Sequence, residues 1–396
     1  MSDPMRTHQP GRHLVQVPGP TNVPPAVLEA IARPTIDHRG PAFAKLTLTV
    51  LERMQQIFAT SGPVVIYPGS GTGAWEACLV NTLSPGDKVL SVETGHFAYL
   101  WSQMASQLGL DVETLPSDWR HPVNVRELEV RLGADTGHEI QALLITHNET
   151  STGTTSDIAA IRKVLDDLDH PALLFVDAVS SLASIDYRHD EWRVDVTVAA
   201  SQKGLMMPPG VAFNALSTRA LARQSTARLP RAYWDWQPIL EANSRGFFPY
   251  TPPTNLLFGL EAAGDMLFAE GLENVFLRHR RHAAATRAAV RAWGLDLQCL
   301  DEEAHSPVVS AVRMPDGFTE EAFRAVVLER YAMSLGAGLG QLTGKVFRIG
   351  HLGDFDDLSL VAALAGVELG LRASGIPHAD GGVNAALDAL AAATHH

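Results

Sequence analysis

The sequence predicts an α/β protein in which a large domain with a mainly parallel sheet is followed by a smaller α+β domain. Short apolar runs without polar alternation, typical of strands buried on both faces, alternate with longer helical stretches. The chain is also 396 residues long, which is more than one hydrophobic core usually holds. The apolar runs lie at residues 64–67, 88–92, 142–146, 172–176, 194–200 and 211–215, with helical stretches at 74–83, 98–108 and 158–168.

The pattern changes after about residue 255, where two long helical stretches are followed by shorter strands and helices. We therefore predict an N-terminal arm over residues 1–25, a large domain over 26–265 and a small domain over 266–396. Prolines at positions 4, 10, 18, 20, 24 and 25 exclude a long helix from the arm. After residue 255 we predict helices near 256–269, 274–293, 320–331 and 358–373 and strands at 308–312 and 345–349.

Composition limits the partners and the compartment. The net charge is −13 and there is no Lys/Arg tract, which argues against nucleic acid and anionic membranes as partners. Two cysteines, Cys78 and Cys299, are too few for a disulfide scaffold, so a reducing, cytoplasmic location is expected. The polar start predicts no secretory signal, and no apolar run reaches the roughly 18 residues of a membrane span. No metal site is predicted.

Two ionisable residues follow strands that are otherwise apolar. Asp177 ends one strand, at the edge of an open α/β sheet where ligands bind, and can hold the N–H of a pyridinium ring or cap the next turn. Lys203 follows the next strand, and burial near a cationic centre lowers a lysine pKa as a Schiff-base lysine requires. Of the five lysines, Lys203 alone has this placement. Together the two residues indicate a pyridoxal phosphate (PLP) site.

A glycine-rich turn, Gly69-Ser70-Gly71-Thr72-Gly73, lies between a predicted strand and a predicted helix. Hydroxyl groups, free backbone N–H groups and the helix dipole at such a turn bind a phosphate dianion. The turn lacks the lysine of a Walker A loop and does not match the full dinucleotide fingerprint. It therefore predicts a site for a single phosphate.

Other polar and aromatic residues follow the same strand ends. Thr150 lies in the polar run 146–153, where His147 and Glu149 are interpreted as orienting their neighbours. Phe97 is a candidate to stack on a cofactor ring. Arg348 interrupts an apolar strand and needs an anionic partner, either a substrate carboxylate or an internal salt bridge.

Taken together, these features resemble the class V aminotransferases of the fold-type I PLP enzymes, and most of all the alanine/serine/aspartate–glyoxylate aminotransferase group. The resemblance spans residues 18 to 353, and its specificity comes from the order of the motifs. It implies a seven-stranded sheet in the large domain and a homodimer with shared active sites. The motifs lie at residues 18–24, 35–39, 69–73, 146–153, 176–181, 201–204 with 208–210, 249–253 and 348–353.

The resemblance also implies a role for each candidate residue. Lys203 is the Schiff-base lysine and proton carrier, Asp177 pairs with the pyridine nitrogen, and Arg348 binds the substrate α-carboxylate. Phe97 stands where some relatives have Trp, and Phe248 replaces a Tyr, which removes one phosphate contact. The remaining roles are ring packing by Val179 and Phe97, phosphate binding by Ser70, Gly71, Thr72 and Gln202, contact with the phenolic oxygen by Thr150, a small acceptor site at Gly19, Thr21 and Asn22, and contact with the neighbouring subunit's phosphate by Tyr250 and Thr251.

The implied reaction is a ping-pong transfer of an amino group from a small L-amino acid to glyoxylate, giving glycine and a 2-oxo acid. Serine is the favoured donor, with aspartate close behind and alanine–glyoxylate transfer as the alternative. Aspartate would need a second cation, for which Arg39 and Arg245 are candidates, although we expect each to form a structural ion pair.

Three other functions compete with this interpretation. A PLP lyase or cysteine desulfurase on the same fold would need a cysteine in a mobile loop, and neither Cys78 nor Cys299 lies in a motif. A binding protein with a decayed site would have lost part of the set formed by Asp177, Lys203 and Arg348. A nucleotide-binding enzyme would carry the missing Walker lysine.

Overall fold

A computed structural model describes residues 11–392 of the chain. The strands are β1 (Leu14–Gln16), β2 (Val64–Gly69), β3 (Lys88–Glu93), β4 (Asp111–Pro116), β5 (Ile140–Thr146), β6 (Asn148–Glu149), β7 (Thr154–Thr155), β8 (Leu173–Asp177), β9 (Val196–Ala200), β10 (Gly210–Leu216), β11 (Val309–Arg313), β12 (Met333–Leu335) and β13 (Val346–Gly350). The helices are α1 (Pro25–Ile31), α2 (Pro41–Phe58), α3 (Gly71–Thr82), α4 (His96–Gln107), α5 (Val125–Gly133), α6 (Ile158–Asp167), α7 (Thr218–Gln224), α8 (Trp236–Asn243), α9 (Thr254–Glu270), α10 (Leu272–Ala292), α11 (Glu320–Tyr331), α12 (Asp357–Ala373) and α13 (Gly382–Ala392).

The central sheet has seven strands in the order β2-β10-β9-β8-β5-β3-β4. All neighbouring pairs are parallel except those of β10, which runs antiparallel to β2 and β9. The register places Thr146 of β5 beside Asp177 of β8, so these two strands end at the same edge. This confirms the predicted α/β fold with a mainly parallel seven-stranded sheet.

Both faces of the sheet are buried, as the apolar runs predict. In β8, Leu174 and Val176 face one apolar core, while Leu173 and Phe175 face the other. A third core lies between residues 285 and 390, around β13 and the C-terminal helices. Helix α9 crosses the predicted boundary at residue 265, and its Leu267 packs in the first core. The domain boundaries themselves stay a prediction.

Several elements were not predicted. Helix α2 has Pro41 in its first turn, where the missing N–H costs nothing, and its apolar residues recur at helical spacing. Strand β4 is an edge strand whose residues are exposed or half-buried, so it has no apolar run. In the predicted arm, β1 pairs in parallel with β12, and α1 begins at Pro25. Residues 1–10, His395 and His396 lie outside the described part of the chain.

A buried histidine joins the C-terminal part of the chain to the region after the central strand β8. The Nδ1 atom of His279 lies 2.9 Å from the carbonyl oxygen of Ser184, and Nε2 lies 3.1 Å from the backbone nitrogen of Gly353. A carbonyl can only accept and an N–H can only donate, so Nδ1 must carry the proton and Nε2 must be bare. The contacts of His279 therefore require a neutral ring.

We expect the protein to lose stability on mild acidification. Burial lowers the pKa of His279 to about 4, and burial also lowers the pKa of His147 and of His189 to about 4. These pKa values lie below 6.5, the ordinary value for histidine. The neutral rings therefore contribute their full share of the free energy of unfolding above pH 6.5, and this share is lost as the pH falls from 6.5 toward 4. Each histidine should contribute a loss of about 2 kcal/mol between pH 7 and pH 5.

Urea unfolding at the two pH values measures this loss. Replacing His279 with Gln should reduce the difference between them, whereas replacing the exposed His121 with Gln should not. An unfolding free energy that does not change from pH 7 to pH 5 would contradict the neutral-ring assignment. Separately, no helix within residues 11–392 has both the length and the apolar character needed to cross a membrane.

Candidate active site

The carboxyl ends of the central strands surround a cavity of about 210 Å³. It lies where β5, β8 and β9 end and where helices α3 and α4 begin, as the motifs predict. Ten of the candidate residues line it: Gly19, Ser70, Gly71, Thr72, Phe97, Thr150, Asp177, Val179, Gln202 and Lys203.

Lys203 lies in the turn after β9 and is 8% exposed. Its Nζ donates to the carbonyl oxygen of Pro18. Gly19, with φ +108°, approaches so closely that an added Cβ would lie 2.3 Å from Cδ of Lys203. Burial, and then the charge of Arg348, lower the pKa of Lys203 to about 7, against the opposite effect of Asp177. A neutral amine is therefore available near neutral pH, as a nucleophilic lysine requires.

Asp177, the last residue of β8, is 4% exposed and is held by two donors. The backbone N–H of Val179 donates to Oδ1 at 2.7 Å, and Nε1 of Trp75 donates to Oδ2 at 3.1 Å. Burial raises the pKa of Asp177 to about 7, and these hydrogen bonds oppose the rise. Such a buried carboxylate favours a cationic partner, which a pyridinium N–H would supply.

The glycine-rich turn has the features of a phosphate site. Helix α3 begins at Gly71, and the side chain of Ser70, at the N-cap, makes no capping hydrogen bond, so the first N–H groups lack a side-chain partner. An added Cβ at Gly71 would lie 2.7 Å from Cγ2 of Val179, so glycine is needed there. Gln202 also lines the cavity, but its buried, unpartnered side-chain oxygen is an acceptor, so only its NH₂ group suits a phosphate oxygen. The open N–H groups and the glycine at position 71 fit the phosphate group of PLP.

Thr150 belongs to a hydrogen-bond network with Asn148 and Ser180. The hydroxyl of Ser180 donates to the carbonyl oxygen of Asn148 at 2.8 Å. It accepts from Thr150 Oγ1 at 2.9 Å and from Asn148 Nδ2 at 2.8 Å. Because the hydroxyl proton of Thr150 is used in this network, its side chain offers a ligand only an acceptor.

Five residues that line the cavity were not among the predicted site residues, namely Pro20, Trp75, Asn148, Ser180 and Pro209. Asn148 lies in the polar run after β5, which was a usable signal. Trp75 sits inside helix α3 and packs between Phe97, at 6.5 Å, and Trp101, at 5.9 Å between ring centroids. Nothing in its local sequence separates it from an ordinary core residue.

Arg348 lies in β13 and is 8% exposed. Its Nε donates to the carbonyl oxygen of Ala337 at 2.8 Å, and Nη1 donates to that of Thr150 at 3.0 Å. Within residues 11–392 it makes no salt bridge, so the internal ion pair is not observed. Burial lowers the pKa of Arg348 to about 10. With carbonyls as its protein partners, the guanidinium can still bind a carboxylate.

Arg348 does not line the cavity, and neither do the remaining candidates. Thr21 is buried, and its hydroxyl donates to the carbonyl oxygen of Lys203 at 3.2 Å. Asn22 is exposed and donates to the carbonyl oxygen of Val15. Thr251 is exposed, and the hydroxyl of Tyr250 donates to the carbonyl oxygen of Ile66 at 3.3 Å.

The arginines considered for a second carboxylate are both exposed. Among the described residues, neither Arg39 nor Arg245 forms an ion pair or a side-chain hydrogen bond. The expectation that each forms a structural ion pair is therefore wrong for this part of the chain.

Comparison with known proteins assigns the family. The model of the aminotransferase class V family matches residues 16–338. The L-aspartate–glyoxylate aminotransferase of Paracoccus denitrificans is 47% identical over 362 residues, which is 91% of each chain. The serine–glyoxylate aminotransferase of Methylorubrum extorquens is 46% identical over 376 residues, covering 93% of this chain and 94% of that protein.

A solved structure gives the same result. The pyridoxamine–pyruvate aminotransferase of Mesorhizobium loti superimposes with a TM-score of 0.91 at 31% identity, over 96% of this chain and 97% of that chain. Its fold confirms the predicted fold type, and the family confirms the predicted cofactor. The chain therefore belongs to the class V aminotransferases, a family of enzymes that depend on PLP.

Proposed function

We propose that the chain transfers an amino group from a small L-amino acid to glyoxylate, with serine as the favoured donor and aspartate close behind. One observation carries the proposal: Lys203 and Asp177 face one cavity together with a phosphate-binding turn. The names of the relatives support the acceptor, because proteins that are 46–47% identical to this chain are named as glyoxylate aminotransferases.

The residues of the chain divide the work of the reaction. When bound, PLP supplies an electron sink for the charge left when the α-proton of an amino acid departs. Asp177 holds the ring nitrogen, and the turn at Ser70 and Gly71 holds the phosphate. Arg348 binds the α-carboxylate and so orients the substrate's Cα toward Lys203. Nζ of Lys203 removes the α-proton and later returns a proton, because its lowered pKa makes both steps accessible near neutral pH.

The choice between donors depends on the second carboxylate of aspartate. Among the residues that line the cavity in the described chain, Lys203 is the one cation, and it is already assigned to proton transfer. This favours serine, whose hydroxyl needs only a polar partner. Aspartate stays close because the unpaired Arg39 and Arg245 could reach the site of a second subunit.

We also propose a homodimer in which each subunit completes the other's phosphate site. Tyr250 and Thr251 do not line the cavity of their own chain, so their proposed phosphate contact requires a second copy. Thr251 is exposed and free to make such a contact. A cytoplasmic location is proposed because Cys78 and Cys299 are buried free thiols, which suit a reducing compartment.

Half-reactions with single amino acids test the donor. Serine should remove the visible absorbance of the PLP-loaded protein fastest, with aspartate next, and glyoxylate should restore it. If Arg348 binds the α-carboxylate, Arg348→Ala should raise the KM for the amino donor by about 10²-fold or more. The reason is that losing a charged pair between the guanidinium and the carboxylate costs about 3 kcal/mol. Bleaching by alanine but not by serine or aspartate would overturn the donor assignment, and failure of glyoxylate to restore the band would overturn the acceptor.

A further inference from the structure

Glu149, which follows β5, is fully buried and was interpreted from the sequence only as orienting its neighbours. Four donors converge on its carboxylate. The backbone N–H groups of Phe97 and Ala98 each donate to Oε2 at 3.1 Å. The backbone N–H of Ser151 donates to Oε1 at 3.0 Å, and its hydroxyl donates at 2.6 Å. Three backbone N–H groups and a hydroxyl face the carboxylate, a set that an ionised carboxylate satisfies best, so the geometry favours the anion although burial raises the pKa of Glu149.

The carboxylate replaces the missing cap of helix α4. Gly95, at the N-cap, has no side chain, and an added Cβ would lie 2.3 Å from Cγ of Glu149. Ser151 Oγ completes the cap by accepting the N–H of His96 at 2.9 Å. An anion at a helix N-terminus is stabilised by free N–H groups and by the helix dipole. Glu149 and Ser151 thus hold the turn that carries Phe97 into the cavity.

The same charge acts on the residues that bind cofactor and substrate. Burial lowers the pKa of Arg348, and the negative charge of Glu149 opposes this by raising it. Burial raises the pKa of Asp177, and the charge of Glu149 raises it further. It makes no salt bridge to Arg348, whose Nη1 donates instead to the carbonyl of the adjacent Thr150. Arg348 therefore has a nearby negative charge that leaves its guanidinium free to bind a ligand.

We propose that Glu149 is a positioning residue for the reaction: its ionised carboxylate places Phe97 against the cofactor ring and balances the buried Arg348 without occupying its donors. This inference rests on the proposed function only for the role of Arg348. The part that concerns Phe97 and the charge of the site applies to any PLP chemistry in this cavity.

Glu149→Gln preserves the shape of the side chain but removes the charge and turns an amide NH₂ toward backbone donors. We expect the dissociation constant for PLP to rise about tenfold. We also expect the pH midpoint of the cofactor's visible band to fall by about one unit, because losing a negative charge disfavours a bound proton, at an effective dielectric constant of about 20. Both readouts use the holoenzyme without amino acid or glyoxylate, so they stand apart from the test of the proposed function.

Asp195→Asn is the matched control. Asp195 is 1% exposed and accepts the N–H of Leu174 at 2.8 Å, but it lies at the amino end of β9, the opposite edge of the sheet. Loss of the Asp195 charge should lower the stability of the protein but leave the pH midpoint of the cofactor's visible band unchanged. If the pH midpoint of the visible band is the same in Glu149→Gln and Asp195→Asn, the proposed electrostatic role of Glu149 is wrong.

Two further variants test the placement of Phe97. In a Phe97→Leu background, Glu149→Gln should raise the PLP dissociation constant by much less than tenfold, because effects that act through one residue do not add. Ser151→Ala removes part of the cap and keeps the charge, so it should weaken PLP binding without moving the midpoint. It also covers the case in which Glu149→Gln does not fold. The positioning role would be wrong if the effects of Glu149→Gln and Phe97→Leu on PLP binding were fully additive. It would also be wrong if Ser151→Ala bound PLP as tightly as the wild type.

Discussion

Replacing Lys203 with alanine should lower the rate of amino-group transfer by about 10⁴-fold, at the upper end of what one acid–base group contributes. The residue has two roles, since it bonds the cofactor covalently and moves the α-proton. Burial lowers its pKa to about 7, so it exchanges protons readily near neutral pH. The substitution enlarges an existing cavity rather than a packed core, so the fold should survive.

The measurement is the single-turnover rate with the best donor. Borohydride reduction of the wild type should attach the cofactor to the peptide that contains Lys203, and the variant should take up no label. Lys163→Ala is the control, because that lysine is exposed and pairs only with Asp167. A Lys203 variant with a tenth of the normal rate would remove the proton-transfer role and leave another group to be found.

The central strands were predictable because their burial leaves a direct trace in the sequence. Strands β8 and β9 are buried along their whole length, so their residues are apolar except the terminal Asp177 and Thr197, whose hydroxyl is hydrogen-bonded to Tyr187 and His189. Edge strand β4 is half-exposed and leaves no such trace. Helix α2 was missed although its signal is present: Pro41 in the first turn, followed by buried residues at helical spacing.

The site was predictable where function follows directly from position at a strand end. Asp177, Lys203 and the turn at Ser70 each follow a strand, and parallel strands bring their ends to one edge. Trp75 could not be predicted, because its contact with Asp177 depends on how helix α3 lies across the sheet. The partners of Arg348 were also hidden, because backbone carbonyls leave no pattern in a sequence.

Asp177→Asn should lower kcat by about 10³-fold, the cost of removing one preorganised charge from a buried site. An amide has nearly the same shape as the carboxylate but no charge to hold a protonated ring nitrogen. It also fits its neighbours poorly. The N–H of Val179 and Nε1 of Trp75 each donate to a different carboxylate oxygen. Whichever way the amide turns, its NH₂ group faces one of these donors, so PLP binding should weaken as well.

Trp75→Phe separates the charge of Asp177 from its placement. Phenylalanine keeps most of the ring packing between Phe97 and Trp101 but removes the hydrogen bond to Oδ2 of Asp177. We expect kcat to fall by about tenfold, which is the effect of losing one hydrogen bond to a charged group. If both variants lose activity equally, placement of the carboxylate matters and its charge does not. If Asp177→Asn loses about a hundredfold more activity than Trp75→Phe, the charge of Asp177 contributes more to catalysis than its placement. Both variants disturb the geometry of the site, but only Asp177→Asn removes the charge.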